Sequence, residues 1–209
     1  GNAVLPTPTI GVVGLIEHAD RVVSRVFKQA GDVIVLLGVS RDELGGSEYL
    51  KVMHGLVRGV PPVLDLGAER RLQQVLVEGA ASGVIASAHD CAEGGLAITV
   101  AESSFDTGLG AEVNAPGVAG AAPGMSDVTT LFGESASRVI VSTAPARAQE
   151  LLALASRGGV PATVIGRVGG NHVRISIGGR VVIDESLESA ERIWSNAIER
   201  YFEPRKAIA

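Results

Sequence analysis

Three short segments concentrate the side chains able to do chemistry: Asp42 to Ser47 (DELGGS), His89 to Gly95 (HDCAEGG) and Phe132 to Arg138 (FGESASR). Each combines glycine with carboxylate. Glycine pairs let backbone N–H groups come close to phosphate oxygens, and the N-terminus of a following helix favours an anion. That chemistry nominates Gly45, Gly46 and Ser47 in the first segment and Gly94 and Gly95 in the second, with Glu134 and Ser135 placed to bind a polar ligand. Carboxylates beside a phosphate repel it unless a hard divalent cation lies between them. Mg²⁺ accepts carboxylate and phosphate oxygens together, so Asp90 is the first candidate metal ligand and Glu93 the second.

The same residues have plainer readings. Asp ahead of a helix is often an N-cap, and Gly-Gly is often a turn. His89 is as suited to a structural hydrogen bond as to a functional role, and Arg41 with Glu43 reads equally as a solvated loop pair. Cys91, with one adjacent His and no other companion, reads as a small buried residue rather than a nucleophile. One cysteine and four histidines without ligand spacing exclude a convincing zinc site.

The elements that must hold these segments follow from the apolar pattern. Gly31 to Gly38 (GDVIVLLG) is a continuous apolar run bracketed by glycines, the pattern of a buried strand. In EYLKVMHGLV, Tyr49, Leu50, Met53, Leu56 and Val57 fall on one helical face. LDLGAERRLQQVLVEGAASG is the clearest helix, with Asp65 as N-cap and Leu66, Leu72, Val75, Leu76 and Gly79 on one side. VIASAHD reads as a short strand and LAITVAESSF as a helix beginning at Gly94-Gly95, which puts Asp90 at a strand-to-helix turn. Ile10 to Ile16 reads as a strand, the stretch 109–125 as one edge strand and a loop, and Arg138 to Ser142 as a strand after a turn. ARAQELLALASRGGV is helical up to its glycine pair. ATVIGRV, HVRISIG and RVVIDESL read as three strands with hairpin glycines at 169–170 and 178–179, and LESAERIWSNAIERYF as an amphipathic helix whose Trp194 anchors packing. The class is α+β: a layered mixed sheet with packed helices, in which loops from one sheet end can converge.

Composition bounds the rest. With 46% hydrophobic residues, 3% aromatic and 27 glycines, the core must be built from Val, Ile, Leu and Ala. A net charge of −5, with 18 Lys plus Arg spread without a block, leaves no footprint for nucleic acid or a membrane surface. No apolar run approaches the ~18 residues of a membrane span, and a single cysteine fits a reducing cytoplasm. The opening GNAVLPTPTIG, without Met, reads as a start inside a longer protein.

LGGSEYLK, SAHDCAEGGLAITVAES and LFGESASRVIVS, in this order and at these separations, closely resemble the second half of the large subunit of phosphoribosylformylglycinamidine synthase. The resemblance runs from LPTPTIGVVG to IWSNAIERYF and separates the chain from other members of the AIR synthase-related (PurM-like) superfamily. It implies a PurM C-terminal-like fold and an ATP- and Mg²⁺-dependent carbon–nitrogen ligase of purine biosynthesis. That reaction converts formylglycinamide ribonucleotide, glutamine and water to formylglycinamidine ribonucleotide and glutamate, with release of ADP and phosphate. It implies that residues 1–27 are the tail of a preceding A domain and linker, and 28–209 a B domain. Its partners would be the other A and B domains, a glutaminase subunit and a small accessory subunit. By resemblance, Asp90 stands where the first-half motif places a Mg²⁺-binding aspartate, and Glu134 to Ala136 where that half has a substrate-contacting ESQ. Ala136 replaces the Gln, and the family's catalytic histidines belong upstream of Gly1, so no catalytic residue is expected in this chain, which alone would be silent.

Overall fold

A computed structural model describes residues 9–16, 18–118 and 126–202. The order of elements is β1 (Val33–Leu37), α1 (Glu48–His54), α2 (Leu66–Ala81), β2 (Ser87–Asp90), α3 (Gly95–Ser104), β3 (Ala111–Ala115), α4 (Ser126–Phe132), β4 (Val139–Thr143), α5 (Ala148–Arg157), β5 (Ala162–Val168), β6 (His172–Ile177), β7 (Arg180–Ser186), α6 (Leu187–Ser195) and α7 (Ala197–Phe202). One seven-stranded sheet runs β2-β4-β1-β5-β3-β6-β7. Its strand pairs are antiparallel except β3 with β6. This is the mixed-sheet α+β architecture that the sequence pattern implies.

The two halves of the sheet are built differently, and the strand sequences show why. Every residue of β1 is buried, because Val33, Val35 and Leu37 pack with α2 and α5 on one face while Ile34 and Leu36 join α3 on the other. A strand covered on both faces needs an unbroken apolar run. In β3, by contrast, Ala111, Val113 and Ala115 are buried and Glu112 and Asn114 are exposed. Only one face of that half is covered, by the layer containing α3, α4 and α6. On the open face, the register sets Arg167 beside Glu112, Glu112 beside Arg174 and Arg174 beside Asp184, a ladder of alternating charge across four strands.

Several expectations need correction. Residues 10–16 form no strand: Ile10, Val12, Val13, Leu15 and Ile16 are exposed and pair with nothing among the described residues, and a strand without a partner leaves its amides unbonded. β3 is an interior strand, not an edge, and its insertion between β5 and β6 means that Gly169-Gly170 does not close a hairpin. Gly178-Gly179 does close one, between β6 and β7. Part of the loop expected after β3 lies outside the described residues. α4 was not foreseen, and the C-terminal helix is interrupted at Asn196. α1 forms as a helix but ends at His54, so Leu56 and Val57 lie beyond it; no residue of it is buried, and Met53 is 62% exposed. Leu66 is exposed as well, while Leu72, Val75 and Gly79 hold α2 to the sheet.

Candidate functional site

Leu37 and Asp90 both lie opposite Val139 in their ladders, so the exits of β1 and β2 and the entry to β4 share one end of the sheet. The three glycine and carboxylate segments therefore meet there. Glu134 ties them together: its Oε1 accepts from the Gly94 N–H at 2.8 Å and from the Glu48 N–H at 2.9 Å. Gly94 is the N-cap of α3, and Glu48 opens α1 behind its N-cap Ser47. Thus one carboxylate oxygen meets the positive ends of two helices, the position the glycine motifs suggested for an external anion.

The glycines have packing reasons of their own. A Cβ on Gly45 would lie 2.1 Å from the Val60 carbonyl oxygen. Gly95 has φ +65°, and its Cβ would lie 2.5 Å from the Gly133 carbonyl oxygen. Gly46 donates its N–H to Arg58 at 3.0 Å, and the Ser47 hydroxyl donates to the Leu44 carbonyl at 2.7 Å. Ser135 is buried, its Oγ accepting from the Arg41 N–H at 3.1 Å.

Asp90 behaves differently. The capping alternative does not hold, because Gly94 is the cap, and the Asp90 carboxylate is exposed with no hydrogen bond or ion pair among the described residues. Along β2 the side chains alternate. His89 accordingly turns toward α3, with Nδ1 3.3 Å from Ser103 Oγ and Nε2 3.5 Å from Glu102 Oε2, which is the structural role. Asp90, Glu134 and Ser135 border one cleft of about 410 Å³ with Glu69, Ser137 and Arg138, whereas Glu93 is exposed outside it. Among the described residues no group of three His, Cys, Asp or Glu gathers to hold a metal. Mg²⁺ commonly takes only one or two carboxylates and completes its shell with phosphate and water, so a lone free Asp90 is compatible with it.

Cys91 is buried, and burial pushes its thiol up against the opposing Arg138 charge, in keeping with a small packed residue. Glu43 forms no pair with Arg41; its Oε1 accepts from the Val63 N–H at 3.0 Å. Trp194 is half-exposed and packs on Phe105 with its Nε1 donating to Glu102 at 3.1 Å, an anchor for α6.

The residue that sequence reasoning undervalued is Arg138. Its side chain is buried, and its guanidinium donates to the Ser135 carbonyl at 3.0 Å, to Ser40 Oγ at 2.9 Å and to the Gly133 carbonyl. It fixes the Gly133 to Ser135 turn that presents Glu134. The available signal was a lone charge directly ahead of the apolar run VIVS.

Residues 29–178 match the family described as AIR synthase related protein, C-terminal domain. The chain belongs to this family. Among full-length relatives, the phosphoribosylformylglycinamidine synthase subunit PurL of Moorella thermoacetica is 42% identical over 197 residues, which is 94% of this chain and 26% of the relative. The chain thus spans about a quarter of the length of the curated relatives it matches. Among solved structures, Thermotoga maritima PurL complexed with FGAR superposes with a TM-score of 0.71 at 23% identity, over 83% of this chain and 30% of that one. The same protein complexed with ATP gives 0.66 at 24%, over 83% and 28%. These likenesses establish that the AIR synthase related C-terminal fold is shared. No helix among the described residues is long and apolar enough to cross a membrane.

Proposed function

We propose that this chain is the C-terminal part of a phosphoribosylformylglycinamidine synthase large subunit, and that it works in the ATP-dependent amidine-forming reaction as a scaffold rather than as the catalytic centre. The observation that carries the reading is the 42% identity over 94% of the chain to a subunit of that name. The internal seating of Glu134 on two helix ends supports the scaffold part, since those N–H groups are already engaged. On this reading residues 1–27 close a preceding domain and 28–209 form the family domain. The partners are the remainder of the large subunit, a glutaminase subunit and a small accessory subunit, in the cytoplasm.

ATP and Mg²⁺ are the cofactors of the proposed whole enzyme. A bound Mg²⁺ would supply positive charge to bridge a carboxylate and phosphate oxygens. In this chain Asp90 would hold it, being the one nominated ligand that is both unpartnered and at the cleft; Glu93 remains a second ligand only if its loop approaches. The complex of a fold relative with ATP is consistent with nucleotide as the phosphate source.

The test replaces the matching quarter of Moorella thermoacetica PurL with this chain. The chimera should form ADP only when formylglycinamide ribonucleotide, ammonia and ATP are all present, while the 209-residue chain alone forms none. A chimera that folds and assembles yet forms no ADP would overturn the assignment.

A further inference from the structure

Beside the Asp90 cleft lies a second one of about 210 Å³, between the exit of β1, the start of α2 and the turn after α5. The two clefts share Leu72, Ala136 and Ser137 as a common wall. Arg41 and Arg71 both line the second cleft, and neither makes an ion pair among the described residues. By contrast, Arg147 is paired with Glu150 and Arg174 with Asp184. The one carboxylate at this cleft, Asp65, is already committed, its Oδ1 accepting from Gly67 N–H at 2.8 Å and Ala68 N–H at 3.0 Å. Those two N–H groups hold the Asp65 carboxyl below its ordinary range, with the charges of Arg71 and Arg41 adding in the same direction. Both arginines, which are exposed, line the same cleft.

A second, separate feature marks the shared wall. Ser137 has φ +58°, one of two non-glycine residues in the left-handed region among those described, and it is held there by its hydroxyl, which donates to Glu69 at 2.7 Å. Such strain costs about 1 kcal/mol or more and persists where surrounding structure over-determines it, most often beside ligands.

We propose that the cleft between Arg41 and Arg71 is a binding site for a phosphate oxyanion, with the body of any attached ester lying over Ser137 toward Asp90. Guanidinium forks suit this task because their paired N–H groups match tetrahedral oxyanion edges. Its two arginines lie outside the glycine segments, and the site stands whether or not the chain serves the synthase reaction.

Calorimetric titration of the 209-residue chain with inorganic phosphate at low ionic strength, where screening is weakest, tests it. Saturable one-to-one binding is expected, weakened about tenfold by Arg41→Gln or Arg71→Gln, the loss of roughly one charge-assisted contact. Asp65→Asn, which keeps the helix cap and removes the competing charge, should tighten binding several-fold, roughly, a gain that misfolding cannot mimic. Arg70→Gln, on the same helix but outside the cleft, should change nothing. Glycerol phosphate titrated in parallel separates the sources: tighter binding than phosphate assigns an ester, weaker binding assigns free phosphate. No saturable binding by about 20 mM phosphate, a range weaker than ordinary ligand affinities, overturns the proposal, as does an equal loss in Arg70→Gln and Arg71→Gln.

Discussion

Glu134 and Gly94 stand forty positions apart in sequence, yet the carboxylate of one accepts the backbone N–H of the other at 2.8 Å. Because the same oxygen also accepts the Glu48 N–H, the segment before β4 fastens the starts of α1 and α3 to each other. Removing it should be costly. Glu134→Ala leaves two part-buried donors unsatisfied and is expected to lower unfolding free energy by about 2–4 kcal/mol, while Glu134→Gln keeps an acceptor and loses about 1 kcal/mol. Urea denaturation of the three proteins measures both; equal losses would show that hydrogen bonding at Glu134 is not what matters.

Gly95→Ala tests the close approach of α3 to the turn before β4. The new Cβ would meet the Gly133 carbonyl oxygen at 2.5 Å and the Leu131 carbonyl oxygen at 2.9 Å, on backbone already at φ +65°. A loss above about 3 kcal/mol is expected. Gly170→Ala, at φ +73° with nothing within 4 Å, isolates the backbone part of the cost and should lose only about 1 kcal/mol. Thermal or urea midpoints that move equally for the two would contradict this account.

Asp32 gives the chain a pH dependence of definite sign. It is buried, and burial raises its carboxyl above the ordinary 3.8. The folded state therefore binds this proton more tightly than the unfolded state does, and folding stability should rise as pH falls through the folded value toward 3.8. Asp32→Asn should be more stable than wild type at pH 7, with the gap closing in acid. A gap that widens on acidification would reverse the assignment.

Asp90→Ala separates structure from binding. An exposed carboxylate without a partner contributes little to folding, so unfolding should shift by less than about 0.5 kcal/mol. Mg²⁺-dependent binding of ADP to the 209-residue chain, followed by calorimetry, should disappear. If binding survives the substitution, Asp90 is not the metal ligand.

Much of the fold was legible because the periodicities are strong. The unbroken VIVLL of β1 announces a strand covered on both faces, and Asp65 followed by Leu72, Val75 and Gly79 announces α2 and its buried side. Asp90 at the end of β2, ahead of a helix, was readable for the same reason. α4 was hidden because SDVTTLF is too short and too rich in β-branched residues for helical periodicity to show.

Sequence by itself determined which segments are apolar on which side, that three glycine and carboxylate turns flank them, and, through shared motifs, the family. Tertiary structure alone decided what those turns are for. Strand order is set by long-range pairing that no local pattern encodes, so only the folded sheet shows β3 between β5 and β6, and Leu37 and Asp90 beside Val139. The same pairing brings Glu134 onto two helix N-termini while leaving Asp90 free. Residue types make each carboxylate able to meet a cation or an amide; which of them is already satisfied is a matter of distance, and distance is a property of the fold.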